Sequence, residues 1–441
     1  MNNQTVSIRR ELSGYVTRNV LSTLGLSVYL LADTYFIANA VGTTGLAALN
    51  IVLPLFNLLN GVGLLLGIGG ATLFSILKIK DQKASQKIFT QVLIVGIIFG
   101  LSFSILGFLF MKPLLYFLGA NAGTYKLAAE YLTYILLAAP FFACNYLVLS
   151  FIRNDNNPHL SMVAMLVSSL FNIIFDYIFM YPLHLGMGGA AMATAVSPIV
   201  ALAILTFHRK KEGRLLTLQR TSIHFKTIKK VVQFGFPVFL TEMSTGVSIF
   251  AFNLVILSLA GNTAVAAYGI IANIVLVALS LFNGVAQGIQ PLLSREFGIQ
   301  NWPEVKQILR FGLIVSFIIG TILYLTLTFE KDPIIALFNN SNNQELIHYA
   351  EIGIPIYFLS LFGSSLNVVF SMFFSAIGEP KHALILAILR GYVLLLGLLF
   401  IFAHFFNLTG VWVALPVTEL IIVVISTIFL FSFFNKQIKK Q

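Results

Sequence analysis

Residues 41–50 read VGTTGLAALN, and residues 260–269 read AGNTAVAAYG. Gly42 stands five residues before Ala47 and Ala48; Gly261 stands five before Ala266 and Ala267. The offset is 219 residues in a chain of 441. At the same offset Gly69 and Ser75 recur as Gly288 and Ser294. Farther along, GGAAMATAV (188–196) is echoed by TGVWVALPV (409–417), which pairs Gly189 with Gly410 and Ala193 with Ala414 at an offset of 221. Glycine and alanine coincide often in apolar helices, so the weight lies in the near-constant register. The chain reads as a tandem repeat.

Each repeat is built for lipid. Hydrophobic residues make up 58% of the chain and charged residues only 10%, where a soluble protein carries about 25% charged residues. Twelve apolar runs predict helices near 13–40, 45–76, 88–111, 124–153, 159–183, 187–207, 230–260, 263–297, 306–329, 346–377, 382–404 and 408–434. Most exceed the roughly 20 residues that cross a bilayer, and the alternation of a membrane barrel is absent. The expected fold is an all-α polytopic membrane protein with twelve transmembrane helices in two six-helix lobes. The first lobe spans 1–207, a basic cytoplasmic linker 208–229 and the second lobe 230–441. Six crossings return the chain to its starting side, so the lobes are parallel repeats about a pseudo-two-fold axis along the membrane normal. That plan suits a transporter whose halves rock around a midplane cavity.

Charge fixes the orientation. With a cytoplasmic amino terminus, 24 of the 27 Lys and Arg fall inside, eight of them in HRKKEGRLLTLQRTSIHFKTIKK (208–230). Lys439 and Lys440 belong to this inside set, and only Lys112, Lys126 and Lys331 fall outside. This is the positive-inside bias, and it predicts a multi-pass protein of the cell membrane with both termini cytoplasmic. The net charge of +11 therefore marks orientation and contact with anionic lipid, not nucleic acid. The polar start, MNNQTVSIRRELSGYVTRNV, lacks the apolar core of a cleavable leader, so the first helix is expected to serve as the insertion signal. A single cysteine, Cys144, excludes an internal disulfide and any multi-thiolate metal site.

Of sixteen acidic residues, four fall well inside predicted helices: Asp33, Asp176, Glu242 and Glu419. Acids in such places are candidates for function because burial without a use is costly. Asp33 lies about 30 Å along the first helix, Asp176 about 25 Å and Asn172 about 20 Å along the fifth, at 1.5 Å per residue. Thr194 lies about 10 Å below the outer end of the sixth. These four are expected in one layer of the first lobe, with Asn172 and Asp176 on one face because they are four apart. Two carboxylates, an amide and a hydroxyl form a hard-oxygen set suited to Na⁺ or a proton. Glu242 falls near the bilayer centre, a turn and a half after Pro237, where a broken helix could open toward a cavity and the acid could hold a substrate cation or a proton. Arg390 and Glu419 lie at comparable depth and are expected to form a structural ion pair. The stretch IRNDNNPH (152–159) carries turn residues and is expected to be a solvated loop.

Read together, these residues resemble the multidrug and toxic compound extrusion family of cation-coupled antiporters, in its prokaryotic form. The similarity runs from ADTYFIANAVGTTGLAALNIVLP to LTGVWVALPVTE, with FNIIFDYIFMYPLHLGMGGAAMAT (171–194) and GVAQGIQPLLSREFG (284–298) among its most specific parts. The resemblance implies an amino-lobe ion site at Asp33, Asn172, Asp176 and Thr194, holding H⁺ or Na⁺. Glu242 matches the seventh-helix acid on which other members rely. Those members also tend to carry an acid in the tenth helix, which here reads LNVVFSMFFSAIG and has none, so the amino lobe is favoured. The resemblance further implies a V-shaped molecule with outward and inward states that exports lipophilic organic cations, and needs no cofactor besides the coupling ion. The expected protein is a monomer in contact with membrane lipids and not an enzyme. No proline interrupts the first helix, so Gly25 is its candidate pivot.

Three alternatives compete. A lipid-linked sugar flippase of the same superfamily would favour a cationic cavity, whereas four buried acids here face one clear buried base, Arg390. A major-facilitator transporter would carry a Gly-Asp-Arg-rich loop where this chain has KIKDQKASQK. A membrane-embedded transferase would need its acids near the headgroups, whereas Asp33 and Asp176 are expected deep in the layer.

Overall fold

The computed structural model describes residues 2–338 and 344–438; Lys439 and Lys440 of the inside set lie outside them. In a bilayer each backbone polar group must be satisfied within the protein, which drives such apolar segments into helices. The first half comprises α1 (Asn2–Ala40), α2 (Thr43–Lys80), α3 (Gln82–Leu109), α4 (Met111–Phe117), α5 (Tyr125–Leu137), α6 (Ala139–Asn154), α7 (Pro158–Met180) and α8 (Gly186–Leu205). A short 3₁₀ turn, Thr206–Lys210, leads into the linker. The second half comprises α9 (Phe225–Gly298), α10 (Trp302–Phe329), α11 (Lys331–Phe338), α12 (Gln344–Tyr357), α13 (Ser360–Ala376), α14 (Pro380–Ile388) and α15 (Leu394–Ile438), with a π-helical turn at Leu389–Val393.

Nine of the described helical segments are long and apolar enough to cross a membrane, and the bent pairs α5–α6 (54°) and α12–α13 (47°) bring the number to 11. Pro380–Gln437 runs 58 residues, about 87 Å at 1.5 Å per residue. It breaks at Asn407 (φ 49°), so it supplies two crossings. The twelve expected spans are accounted for. The seventh and eighth are the two arms of α9, which part at Gly261. Pro237 does not break the first arm: α9 runs on through it, since the chain there loses a single backbone donor. Gly25 likewise lies inside an uninterrupted α1, and a Cβ there would press on the Leu166 side chain of α7.

The repeat is written in the backbone. Gly42 has φ 83°, ψ −166° and Gly261 has φ 72°, ψ −167°; this left-handed region is open to glycine because it lacks a Cβ. Positive φ recurs at Gly186 (52°) and Asn407 (49°), an offset of 221; asparagine enters this region because its short polar side chain can hydrogen-bond locally.

At one end the halves exchange parts. Leu12, Tyr15 and Val16 of α1 pack into a core with Val285, Ile289 and Phe373 of the second half. Conversely, Val231 of α9 packs with Leu65, Phe74 and Phe151 of the first. Glycines allow the approach: a Cβ on Gly235 would meet the Leu65 carbonyl, one on Gly69 the Val231 carbonyl, and one on Gly288 the backbone of Val16. Small residues at such crossings are how membrane helices gain van der Waals contact.

The stretch 152–159 is not the solvated loop expected of it. Arg153, Asn154 and Asp155 are 5%, 1% and 3% exposed. Asp155 accepts the backbone N–H groups of Leu215 and Leu216 and the Nε2–H of His208 at 2.8 Å, while Lys211 Nζ donates to its carbonyl. Burial acts to raise its pKa, but the hydrogen bonds from His208 and Leu216 outweigh it and hold the carboxyl below the usual range. The linker is thus clasped to the α6–α7 turn. Turn residues announced the bend, but not the chain that would cover it.

Gly235→Ala should push α9 off α2 and cost about 1–3 kcal/mol, the usual range for overpacking. Gly246→Ala, where a Cβ would meet nothing within 4 Å, should be neutral or slightly stabilising. Thermal unfolding midpoints of the two purified variants in detergent check the contrast.

Candidate functional site: a buried carboxylate layer in the first half

Asp33 (α1), Asn172 and Asp176 (α7) and Thr194 (α8) are all buried, with Asn172 and Asp176 at 0% exposure. One turn of α7 puts Asn172 and Asp176 on the same face. The Asn172 amide is oriented by its neighbours: its N–H donates to Asp176 Oδ2 at 3.0 Å, and its oxygen accepts from Thr194 Oγ1 and N, both at 3.2 Å. Asp33 of α1 lies near enough to Asp176 of α7 for its charge to bear on that carboxyl. Among the described residues, Oδ1 of each acid is buried without a hydrogen-bond partner. Two unpartnered carboxylate oxygens beside a hydroxyl whose proton is given to Asn172 leave free acceptors, an arrangement that takes up a small hard cation or a proton.

Two tyrosines join this layer. Tyr29 of α1 and Tyr131 of α5 both lie near enough to feel the charges of Asp33 and Asp176. Tyr29 was findable, since it lies one helical turn before Asp33. Tyr131 carries no local signal, because it reaches the layer from another helix.

A narrow cavity of about 40 Å³ opens beside the layer, walled by Tyr29, Thr194, Ser168, Ser169, Ser197, Asn60, Asn145 and Tyr146. That is room for about three waters and too little for an organic ligand, whose pockets run from about 300 Å³. Asn60 Oδ1 and Asn145 Oδ1 are also buried and unpartnered, so the wall is polar and keeps unengaged acceptors. Glu242, half-buried on the first arm of α9, acts on Tyr146 from the second half. Glu242 is not among the residues that line the cavity, and it approaches from the second half and not within the layer itself.

Arg390 and Glu419 are apart from both. Arg390 Nη2 lies 2.8 Å from Glu419 Oε1, and its Nε donates to both carboxylate oxygens. Ser364 Oγ donates to Oε1 at 2.8 Å and Asn367 Nδ2 to Oε2 at 2.7 Å. Glu419 thus has every oxygen engaged, unlike Asp33 and Asp176.

The MatE family model matches residues 20–178 and 237–402. Among curated relatives, the multidrug export protein MepA of Staphylococcus saprophyticus is 28% identical over 397 residues, covering 89% of this chain and 87% of its own. MepA of Staphylococcus aureus is 28% identical over 403 residues, covering 91% and 88%. The fold matches a solved outward-facing multidrug-resistance MATE family transporter with a TM-score of 0.89 at 23% identity, covering 97% of this chain and 96% of the other.

The satisfied pair in the second half yields a stability test. Arg390→Met should leave a buried, uncompensated Glu419 and cost about 3–5 kcal/mol. Arg390→Met combined with Glu419→Gln should recover most of that loss, because no bare charge remains. Unfolding midpoints of the single and double variants in the same detergent decide it.

Proposed function

The chain belongs to the MatE family, and from that membership we propose that it is a secondary antiporter exporting lipophilic organic cations in exchange for H⁺ or Na⁺. The observation that carries this reading is the pair of unpartnered oxygens on Asp33 and Asp176, buried in one layer beside a polar cavity. Like charges held in one water-poor place repel, so a cation or proton entering there favours whichever packing keeps the acids together. A ligand shifts an equilibrium only by its differential affinity for the two states, and this layer supplies such a difference. Asn172 and Thr194 orient the acids, and Glu242 of the second half is the acid that meets the organic cation or carries a proton. The multidrug export named for the staphylococcal relatives supports the substrate class.

The lobes that rock are 1–207 and 230–441, joined by the basic linker 208–229. The protein works as a monomer with both termini in the cytoplasm. Arg390 and Glu419 serve the second lobe as a structural tie.

Purified protein in liposomes, loaded with a fluorescent organic cation, tests the coupling. Uphill efflux should follow an imposed pH or Na⁺ gradient and stop when neither is present. Asp33→Asn should reduce uphill efflux to the level of protein-free vesicles, with the variant still folded and inserted. Glu242→Gln should lower efflux while leaving gradient dependence in what remains. Undiminished uphill efflux in Asp33→Asn would count against the assignment.

A further inference from the structure

Arg153 is the exception among the deeply placed arginines. Arg295 lies 2.9 Å from Glu11 and 2.9 Å from Glu296, and Arg390 is held by Glu419. Arg153 is 5% exposed, yet among the described residues no carboxylate lies within ion-pair distance of it. Its guanidinium is solvated by neutral oxygens: Nη1 donates to Asn19 Oδ1 at 2.7 Å and to Gln287 Oε1 at 2.6 Å, and Nη2 to Ser150 Oγ at 3.2 Å. Nε is buried and unpartnered. Asn19 belongs to α1 and Gln287 to the second arm of α9, so the guanidinium reaches from the first half into the second.

The next residue repeats the link. Asn154 Nδ2 donates to Gln290 Oε1 at 2.9 Å, and Gln290 Nε2 donates back to Thr72 Oγ1 of α2 at 3.0 Å. Among the described residues, the side-chain hydrogen bonds that join the halves directly run from Ser27–Ser280 at mid-depth to Glu11–Arg295 at the end where the basic residues gather. The halves are fastened at that end, and the cavity and carboxylate layer lie beyond it.

We propose that Arg153 is a releasable latch between the lobes: its charge, bonded to the Gln287 amide oxygen rather than to a carboxylate, holds the cytoplasmic side closed yet lets it part. A buried ion pair here would resist opening, since separating it strands two charges. A neutral acceptor gives a charge-assisted bond of intermediate strength, and entering water takes its place when the lobes separate. Arg153 is a positioning residue for the transport cycle and touches neither the carboxylate layer nor the cargo. The proposal rests on the alternating-access reading, but its test needs no cargo and no gradient.

Spin labels at Lys83→Cys on α3 and Arg310→Cys on α10, both exposed, report the separation of the cytoplasmic ends in a Cys144→Ala background. Gln287→Glu gives the guanidinium a carboxylate and should move the closed-to-open ratio up by about tenfold. Gln287→Leu removes the acceptor and should move it down by about tenfold, the scale of a charged hydrogen bond. In liposomes Gln287→Glu should also slow turnover without changing the gradient dependence of efflux. Distance distributions that move the same way in both variants, or in neither, while unfolding midpoints show folded protein, overturn the latch. Absence of efflux from the unmodified protein would instead overturn the antiport reading and leave the distances readable.

Discussion

Two carboxylates enclosed by helices, with no salt bridge to either among the described residues, set the terms for the first lobe. Like charges repel more strongly at the effective dielectric of about 20 inside a protein than they do in water. The surroundings of Asp33 and Asp176 do little to offset this. Asn172 can give one N–H, and each acid keeps an oxygen without a partner. A fold whose purpose were rigidity would have completed the network, as the second lobe did around Glu419 with Arg390, Ser364 and Asn367. An incomplete acceptor set is the feature on which the proposed ion coupling depends.

The repeat duplicates the frame without duplicating the chemistry. Positive-φ residues recur at the helix-to-helix joints in both halves: Gly42 with Gly261, Gly186 with Asn407 and Asn156 with Gly378. Where the acids stand in the first half, the second half is apolar. The residue 219 on from Asp33 is Phe252, and those 221 on from Asp176 and Thr194 are Gly397 and Leu415. Phe252 stacks on Tyr268 at 5.3 Å, and Tyr357 and Trp412 close the cluster around them. An aromatic core of this kind excludes water and holds no carboxylate, so the lobes can share a shape and divide the labour.

Much of this was legible in the chain because it is local. Apolar runs, the glycine register and the four-residue spacing of Asn172 and Asp176 each involve neighbours in sequence, and helical geometry turns them into depth and face. Tyr131, which joins the layer from α5, and the swap of Leu12–Val16 into the second half were not legible, because they depend on packing between distant segments. The stretch 152–159 shows the same limit from the other side. Asn156 does take the left-handed turn conformation, φ 58°, as its composition suggested. Its neighbours are buried because Gln287, Gln290 and Leu215, some 60 to 136 residues away, come to meet them. Polarity marks a loop as solvated only when no other polar surface is available to it.

The first helix connects the carboxylate layer to the closed end. Asp33 and Asn19 both sit on α1, which is continuous over Asn2–Ala40, and 14 residues of helix place them about 21 Å apart. A continuous helix transmits a tilt or rotation with little loss, whereas a loop would absorb it. Leu166 of α7 packs where Gly25 lacks a side chain, so the two helices approach closely at the midpoint of α1 through a side chain that can change rotamer. Whatever relieves the repulsion at Asp33 therefore acts on the same rod that carries an acceptor for Arg153. Coupling of this sort requires an element with two arrangements that both sites bias. α1 meets the geometric part of that requirement, since it is anchored in the first lobe by its outer end and in the second lobe by Leu12, Tyr15 and Val16.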